Sequence, residues 1–329
     1  MDEFAFIQSI KQAYYKQPSV VKGIGDDAAI IRQPYQDIIT TVDTMVESIH
    51  FSTETTEPYH IGFRALAANI SDIAAMGGIP SSYLVSMTIP NHWSQESLQA
   101  IYAGMDGLAK QYQMDVIGGD TVSGEQLTVT ITVIGYVPKG KARYRSQARE
   151  GDIVFVTGTL GDSACGLHML LKGVKDISQE DQYFIERHRM PVPRVSFAKA
   201  CQSLNRIVFN DVSDGIANEA NEIAEASQLT LQLNYNDIPV HAYLRQFEEN
   251  QVMEWALSGG EDFELIGTVS PNEWGQLKKI ANQTDTMLTA IGTVLNKPKQ
   301  NGMVLLEKKS RIATLEKSGY THLRGEKNE

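Results

Sequence analysis

Several chemistries are excluded by what this 329-residue chain lacks. It has two cysteines, Cys165 and Cys201, with no metal-ligand spacing, so neither a disulfide framework nor a zinc knuckle is available. No apolar run approaches the roughly 20 residues that span a bilayer. The N-terminus, Met1-Asp2-Glu3-Phe4, carries acid where a signal peptide carries base, which predicts a cytoplasmic protein. Basic residues are outnumbered, 29 against 40, for a formal charge of −11. The basic footprint of a nucleic-acid binder is therefore missing. There is no G-x-x-x-x-G-K-[ST] phosphate loop and no G-x-S-x-G nucleophile elbow. Any phosphate chemistry must use another device, and metal bridging is the obvious one.

The chain is instead rich in aspartates set among glycine and small residues. They stand in Gly25-Asp26-Asp27, Val42-Asp43-Thr44, Ser71-Asp72-Ile73, Gly118-Gly119-Asp120-Thr121, Asp211-Val212-Ser213-Asp214-Gly215 and Ser258-Gly259-Gly260-Glu261-Asp262. Carboxylates held by backbone turns are hard oxygen ligands of the kind that bind Mg²⁺ beside phosphates. Taken singly, an Asp-Gly cluster is more often only a turn, because both residues tolerate unusual dihedrals. Two positions resist that reading. Asp43 ends an apolar strand without a tight-turn sequence after it. Asp72 falls inside a helix whose neighbours Ile70, Ile73 and Met76 belong to a core, so it requires a partner.

With 42% hydrophobic and 21% charged residues, the composition is that of a globular protein of about two domains. Periodicity predicts a helix over 2–16, strands over 28–31 and 38–43, a helix from Pro58 to Gly77-Gly78, strands over 83–89, 115–117 and 127–137, and a helix capped by Ser94. Residues 138–150 then hold five of the 29 basic residues, Arg143, Arg145 and Arg149 among them. The domain boundary is expected there, giving domains 1–148 and 149–329. The second half predicts helices over 161–172, 180–188, 194–204, 215–227 and 271–283, and strands over 152–156, 207–210, 229–233, 262–269, 287–293 and 303–306. Gly23-Ile24-Gly25-Asp26-Asp27-Ala28 mimics a dinucleotide fingerprint. A short β-branched segment follows it rather than a helix, and two aspartates would repel a pyrophosphate. Of the seven histidines only His50 lies close to an aspartate strand.

Taken in order, G-I-G-D-D-A-A-I, T-V-D-T-M-V-E-x-x-H-F, N-I-S-D-I-A-A-M-G, G-G-D-T, D-V-S-D-G and S-G-G-E-D-F-E-L resemble the thiamine-monophosphate kinase family, of the PurM-like, AIR synthetase-related superfamily. The resemblance runs from residue 23 to Gly319-Tyr320. It implies an α/β and α+β two-domain fold. A mixed N-terminal sheet flanked by helices would give four strands to a dimeric β-barrel, and a C-terminal α+β domain would close the cleft. It implies a cytoplasmic homodimer that uses ATP and several Mg²⁺ ions to convert thiamine monophosphate to thiamine diphosphate.

Carried over to this chain, the metal ligands would be Asp27, Thr41, Asp43, Asp72, Asp120, Asp211 and Asp214, with Val42 through its carbonyl. Asp27, Gly119, Asp120, Arg145 and Ser213 would contact ATP, although Arg143 and Arg149 compete for the arginine role. His50, Glu261 and Tyr320 would contact thiamine monophosphate. No protein general base is expected, since a phosphate monoester is already a nucleophile near neutral pH. Selenophosphate synthetases fit less well, because no cysteine precedes residue 165. The hydrogenase-maturation relative ends in a cysteine tail that this chain lacks. Aminoimidazole-ribotide synthetase and a non-catalytic metal- or nucleotide-binding module remain as alternatives.

Overall fold

The first half is organised by clean period-two alternation in its strands. The strands are β1 (Val20–Lys22), β2 (Ala29–Arg32), β3 (Gln36–Val46), β4 (Ile79–Ile89), β5 (Asp115–Ser123) and β6 (Thr128–Pro138). Every second residue is buried along β6 and along most of β3, where Asp43 is the half-buried exception, and β4 slips register between Pro80 and Ser82. β6 inserts Val129, Ile131, Val133 and Val137 into the core and leaves the threonines between them half-buried. The computed structural model describes residues 20–22, 27–32, 34–173, 177–297 and 299–319. The helix expected over 2–16, Asp26 and Tyr320 lie outside them. The six strands form one mixed sheet in the order β1-β2-β3-β6-β4-β5, in which only β4 and β5 run parallel. That is two more strands than the four implied for a barrel.

Helix α1 (Pro58–Ala75) covers one face of this sheet, entered through a proline at its first turn, where the missing N–H costs nothing. Helix α2 (Gln95–Tyr112) is capped as expected, with the Ser97 N–H donating to Ser94 Oγ at 3.2 Å. The two helices touch through glycines. A Cβ on Gly62 would stand 1.8 Å from the Ile101 carbonyl oxygen, and one on Gly104 would stand 1.8 Å from that of Tyr59. The other sheet face is open within this chain: Val42 is 58% exposed between half-buried Thr40 and exposed Thr44. Every residue of β5 is exposed as well.

The second half builds a seven-stranded sheet from β7 (Ile153–Thr157), β8 (Ile207–Asp211), β9 (Thr230–Asn234), β10 (Leu265–Val269), β11 (Leu288–Leu295), β12 (Val304–Lys308) and β13 (Arg311–Thr314). Their order is β13-β12-β9-β11-β7-β10-β8, with β9 and β12 parallel. The helices are α3 (Asp162–Lys172), α4 (Gln179–Arg189), α5 (Val195–Ala200), α6 (Ile216–Ser227), α7 (Glu249–Ser258) and α8 (Pro271–Gln283). Helix α7 and strand β13 escape the periodicity reading. The former buries only Val252 and Ala256, and every residue of the latter is exposed.

Two boundaries move for local reasons. The strand expected from 262 begins at Leu265, because Glu261 and Phe263 take left-handed backbone angles, φ 65° and 49°. The strand expected over 115–117 runs on to Ser123, so Gly118-Gly119-Asp120-Thr121 is extended rather than a turn, held by parallel pairing to β4.

One apolar core crosses the junction of the halves, joining Ile39, Ile70, Ile73 and Val133 to Phe155, Phe197, Phe209 and Leu265. A second lies wholly in the C-terminal half, around Val154, Val156, Ile216, Leu231 and Ile291. Polar bridges follow the first: the buried Arg143 donates to the carbonyls of Cys201 and Leu204, both at 3.0 Å, and Tyr112 Oη donates to that of Pro193 at 3.0 Å. No helix among the described residues is long and apolar enough to cross a membrane.

Candidate active site at the junction of the two halves

Four carboxylates, three from separate elements and one from the segment before β2, meet where α1 crosses the end of β8. Asp27 precedes β2, Asp43 lies on β3, Asp72 on α1, and Asp211 ends β8. Oxygens of Asp27, Asp72 and Asp211 lie within 4.8 Å of one another. Asp43 lies close enough to Asp72 for the two carboxyl groups to act on each other's charge. Thr41 Oγ1 donates to Asp72 Oδ2 at 2.5 Å, and Ser71 Oγ donates to Asp211 Oδ2 at 2.7 Å. The partner that Asp72 needs is thus a hydroxyl and a second acid. It forms no ion pair with a basic side chain among the described residues.

The electrostatic consequence is direct. Burial lifts the Asp43 carboxyl to about 6. Asp72 is pushed well above the usual carboxylate range by burial and then by the charges of Asp43, Asp211 and Asp27. Asp211 moves the same way through burial and then Asp27. An all-oxygen set that repels itself fits a hard divalent cation such as Mg²⁺.

The basic segment sorts itself by geometry. Arg143 is consumed by backbone carbonyls, and burial lowers its pKa. The Arg149 side chain is exposed. Arg145 reaches the carboxylates: one Nη lies 2.5 Å from Asp27 Oδ1, the other 2.7 Å from Glu222 Oε2, and Nε donates to Asn210 Oδ1 at 3.0 Å. Asn210 Nδ2 in turn donates to Glu219 Oε2 at 2.8 Å. Glu219 Oε1 accepts the Asp214 N–H at 3.1 Å and the Ser213 hydroxyl at 3.4 Å. Glu219 is pushed up by burial, then by Glu222 and Asp214. Gly215, at φ 106°, makes the turn from Asp214 into α6, a conformation suited to glycine.

Beside the carboxylates opens a cleft of about 820 Å³, lined by Asp43, Asp72, Asp211, Ser213, Asp214, His50 and Glu261. Met45, Ile49, Phe51, Leu167 and Phe263 supply its apolar wall. His50 Nδ1 accepts the Val46 N–H at 3.0 Å. The Glu261 N–H donates to the Ser213 carbonyl at 2.7 Å, and its side chain pairs with Arg64 of α1. His188 Nδ1 lies 3.8 Å from the same carboxylate and 3.1 Å from Ser163 Oγ.

The expected site residues Asp27, Thr41, Asp43, Asp72, Asp211, Ser213, Asp214, Arg145, His50 and Glu261 therefore converge on one region. The Val42 side chain points to the open sheet face. Gly119 and Asp120 are not brought in: Asp120 shares a transverse row with Ser86, Thr130 and Thr44. Three strand spacings, about 14 Å, separate it from β3. Asp262 takes a structural place, accepting the N–H groups of Gly161 and Ser163 at the start of α3 at 2.7 and 3.0 Å. Sequence reasoning passed over Arg64, Asn210, Glu219 and Glu222. The usable signals were an arginine between Phe63 and Ala65-Leu66, and a Glu pair one helical turn apart directly after Asp214-Gly215.

Two family models match, the AIR synthase related protein N-terminal domain over residues 25–137 and its C-terminal domain over 149–304. A thiamine-monophosphate kinase of Bacillus subtilis (strain 168) is 49% identical, covering 98% of this chain and all of its own. The crystal structure of thiamine-monophosphate kinase from Stenotrophomonas maltophilia K279a is 30% identical with a TM-score of 0.77, covering 90% of this chain and 93% of that one. The structure of AaThiL complexed with AMPPCP and TMP is 27% identical with a TM-score of 0.83, over 97% of each chain. With its two sheets, its junctional carboxylates and matches of this length, the chain belongs to the AIR synthase related family and, within it, to the thiamine-monophosphate kinases.

Proposed function

We propose that this protein transfers the γ-phosphoryl group of ATP to thiamine monophosphate, giving thiamine diphosphate and ADP. The observation that carries the reading is the placement of Asp43, Asp72 and Asp211, with Asp27 beside them, at one wall of a cleft that also holds His50 and Glu261. In this reading domain 1–148 supplies most of the metal carboxylates, and domain 149–329 closes over them with Asp211, Ser213, Asp214 and Glu261. The acceptor phosphate, with a second pKa near 6, is already deprotonated at neutral pH and needs no base. The obstacle is bringing two polyanions into line, so catalysis is positioning and charge neutralisation.

Asp27, Asp43, Asp72, Asp211 and Asp214 would hold Mg²⁺, with Thr41 and the Val42 carbonyl adding oxygens. Bound there, Mg²⁺ would supply screening of the phosphates and neutralisation of developing charge. His50, whose Nδ1 accepts a backbone N–H, carries its neutral-ring proton on Nε2, as a hydrogen-bond donor to the acceptor phosphate. Glu261 suits a cationic thiazolium by charge. Tyr320 is assigned to the same ligand by resemblance.

Arg145 is the nucleotide-phosphate contact, since it is the arginine of its segment that reaches the carboxylates. Arg145→Met should raise the apparent KM for ATP about tenfold and that for thiamine monophosphate far less. Steady-state kinetics with each substrate varied in turn would check this; the reverse ranking sinks the assignment.

We further infer a homodimer. The threonine-rich face around Val42 and the exposed β5, with Val116, Ile117 and Val122, want a cover that a second copy supplies. The partner copy would then bring Gly119 and Asp120 to the site that this copy leaves incomplete. Light scattering should return twice the chain mass, and a monomer at working concentration would end this reading.

The deciding assay incubates the protein with Mg²⁺, ATP and either thiamine or thiamine monophosphate and separates the products. Diphosphate formed from the monophosphate alone supports the function. Metal binding without ADP formation would mark a non-catalytic module instead.

A further inference from the structure

Arg64 is the largest fully buried side chain of the described residues, only 1% exposed, in the middle of a helix whose other buried positions, Asn69 apart, are small or apolar. A guanidinium so placed is tolerated only with a counter-charge. One Nη donates to Glu261 Oε2, and the same nitrogen lies 3.5 Å from the His50 carbonyl oxygen. Its Nε makes no hydrogen bond among the described residues. The cation thus points at one place, and its partner is 197 positions away on the opposite wall of the cleft.

Glu261 is fixed from other sides too. Its backbone sits at φ 65°, which a non-glycine residue holds only where its surroundings over-determine it. Its N–H is tied to Ser213, and His188 stands 3.8 Å from its carboxylate. Burial and the charges of Arg64 and Arg189 keep His188 from protonating, which leaves Arg64 as the full cation against Glu261. The same guanidinium also reaches the loop that carries His50.

We propose that Arg64 is a positioning residue for the thiamine-phosphate half of the cleft, setting the Glu261 carboxylate and the His50 loop against each other across the junction. The assignment rests on the reading of His50 and Glu261 as acceptor contacts. Arg64 lines no part of the cleft itself, so it acts through those two residues.

The test is steady-state kinetics of the full chain with Mg²⁺, varying thiamine monophosphate at saturating ATP and then the reverse. Arg64→Met should raise the KM for thiamine monophosphate about tenfold and leave that for ATP within about twofold. Arg64→Lys keeps the charge but loses the planar fork, so it should recover most of the loss, ending about two- to fivefold above wild type. Adding Arg64→Met to Glu261→Gln should cost less than the two single losses combined, because the Arg64–Glu261 interaction has then been removed twice and only the His50 share remains to be lost.

Equal rises in both KM values, a lysine variant as poor as the methionine one, or additive losses in the double variant would each overturn the assignment. If the methionine variant does not fold, the lysine variant decides: a KM for thiamine monophosphate equal to wild type overturns it. Wild-type protein that forms no thiamine diphosphate would overturn the functional reading instead, before any variant is compared.

Discussion

Asp72→Asn is expected to cut turnover by about a thousandfold while leaving the metal-free protein at least as heat-stable as the wild type. Losing one carboxylate from a metal cage forfeits several kcal/mol of transition-state charge stabilisation, hence about three orders of magnitude. Stability moves the other way because Asp72 is surrounded by Asp43, Asp211 and Asp27 and is held up mainly by burial and their repulsion. An amide of the same shape still accepts the Thr41 hydroxyl and carries no charge. A large loss of folding would mean that Asp72 is structural.

The same cluster predicts a metal effect. Mg²⁺ at a hundred times its Kd should stabilise the wild type by about 2.7 kcal/mol, a shift of several degrees in Tm, and the variant by much less. It also predicts a pH effect with a definite sign. Asp43 titrates near 6 in the folded chain against 3.8 as the ordinary value, so the folded state binds the proton more tightly. That contribution is present below the unfolded pKa and is lost as pH rises from about 4 through 6. Thermal melts of metal-free protein across this range should show the wild type losing Tm relative to Asp43→Asn, and a wild type that gains on the variant as pH rises would contradict this placement of Asp43.

The second large effect concerns folding. Glu264→Gln should destabilise the protein by roughly 3–5 kcal/mol, because it leaves two guanidinium groups short of their anion. Glu264 is fully buried and accepts from Arg187 at 2.9 Å, from Arg194 Nε at 2.5 Å and from Thr157 Oγ1 at 2.7 Å. The two arginines hold its carboxyl below the usual range despite burial. Arg187 also donates to the Asp262 carbonyl at 3.0 Å, so the loss reaches the backbone that sets up Glu261. Calorimetry should show Tm lower by about 6–20 °C at 2–4 °C per kcal/mol. A drop of under about 2 °C would mean that the network is not holding this part of the fold.

What could be read from residues alone divides by range. β3, β6, α1, α2 and the Ser94 cap were legible because alternation, helical periodicity and capping are local. Asp43 and Asp72 were legible as anomalies, acids where the pattern demands apolar residues. The Arg64–Glu261 pair was not, since nothing near residue 64 announces a partner 197 positions on. Glu219 and Glu222 gain a role only once Arg145 and Asn210 are placed over them. The left-handed angles at Glu261 and Phe263 break a strand that β-propensity would have begun earlier, and only tertiary contacts impose them. Asp262 looked like part of the acid set, yet its work is to hold the start of a helix a hundred residues upstream.

The apolar core that crosses the junction has a bearing on motion. Where two lobes meet through a thin polar seam, a hinge can swing them apart, and substrate enters between them. Here Phe155, Phe197, Phe209 and Leu265 are continuous with Ile70 and Val133, so swinging the lobes would bare packed hydrocarbon to water. Substrate traffic is therefore left to the rims: the turn carrying His50 and the segment 258–263, whose backbone Arg64 and Ser213 restrain from within. Whatever opening substrate entry and product release require is thereby expected of those two short stretches rather than of the body of the molecule.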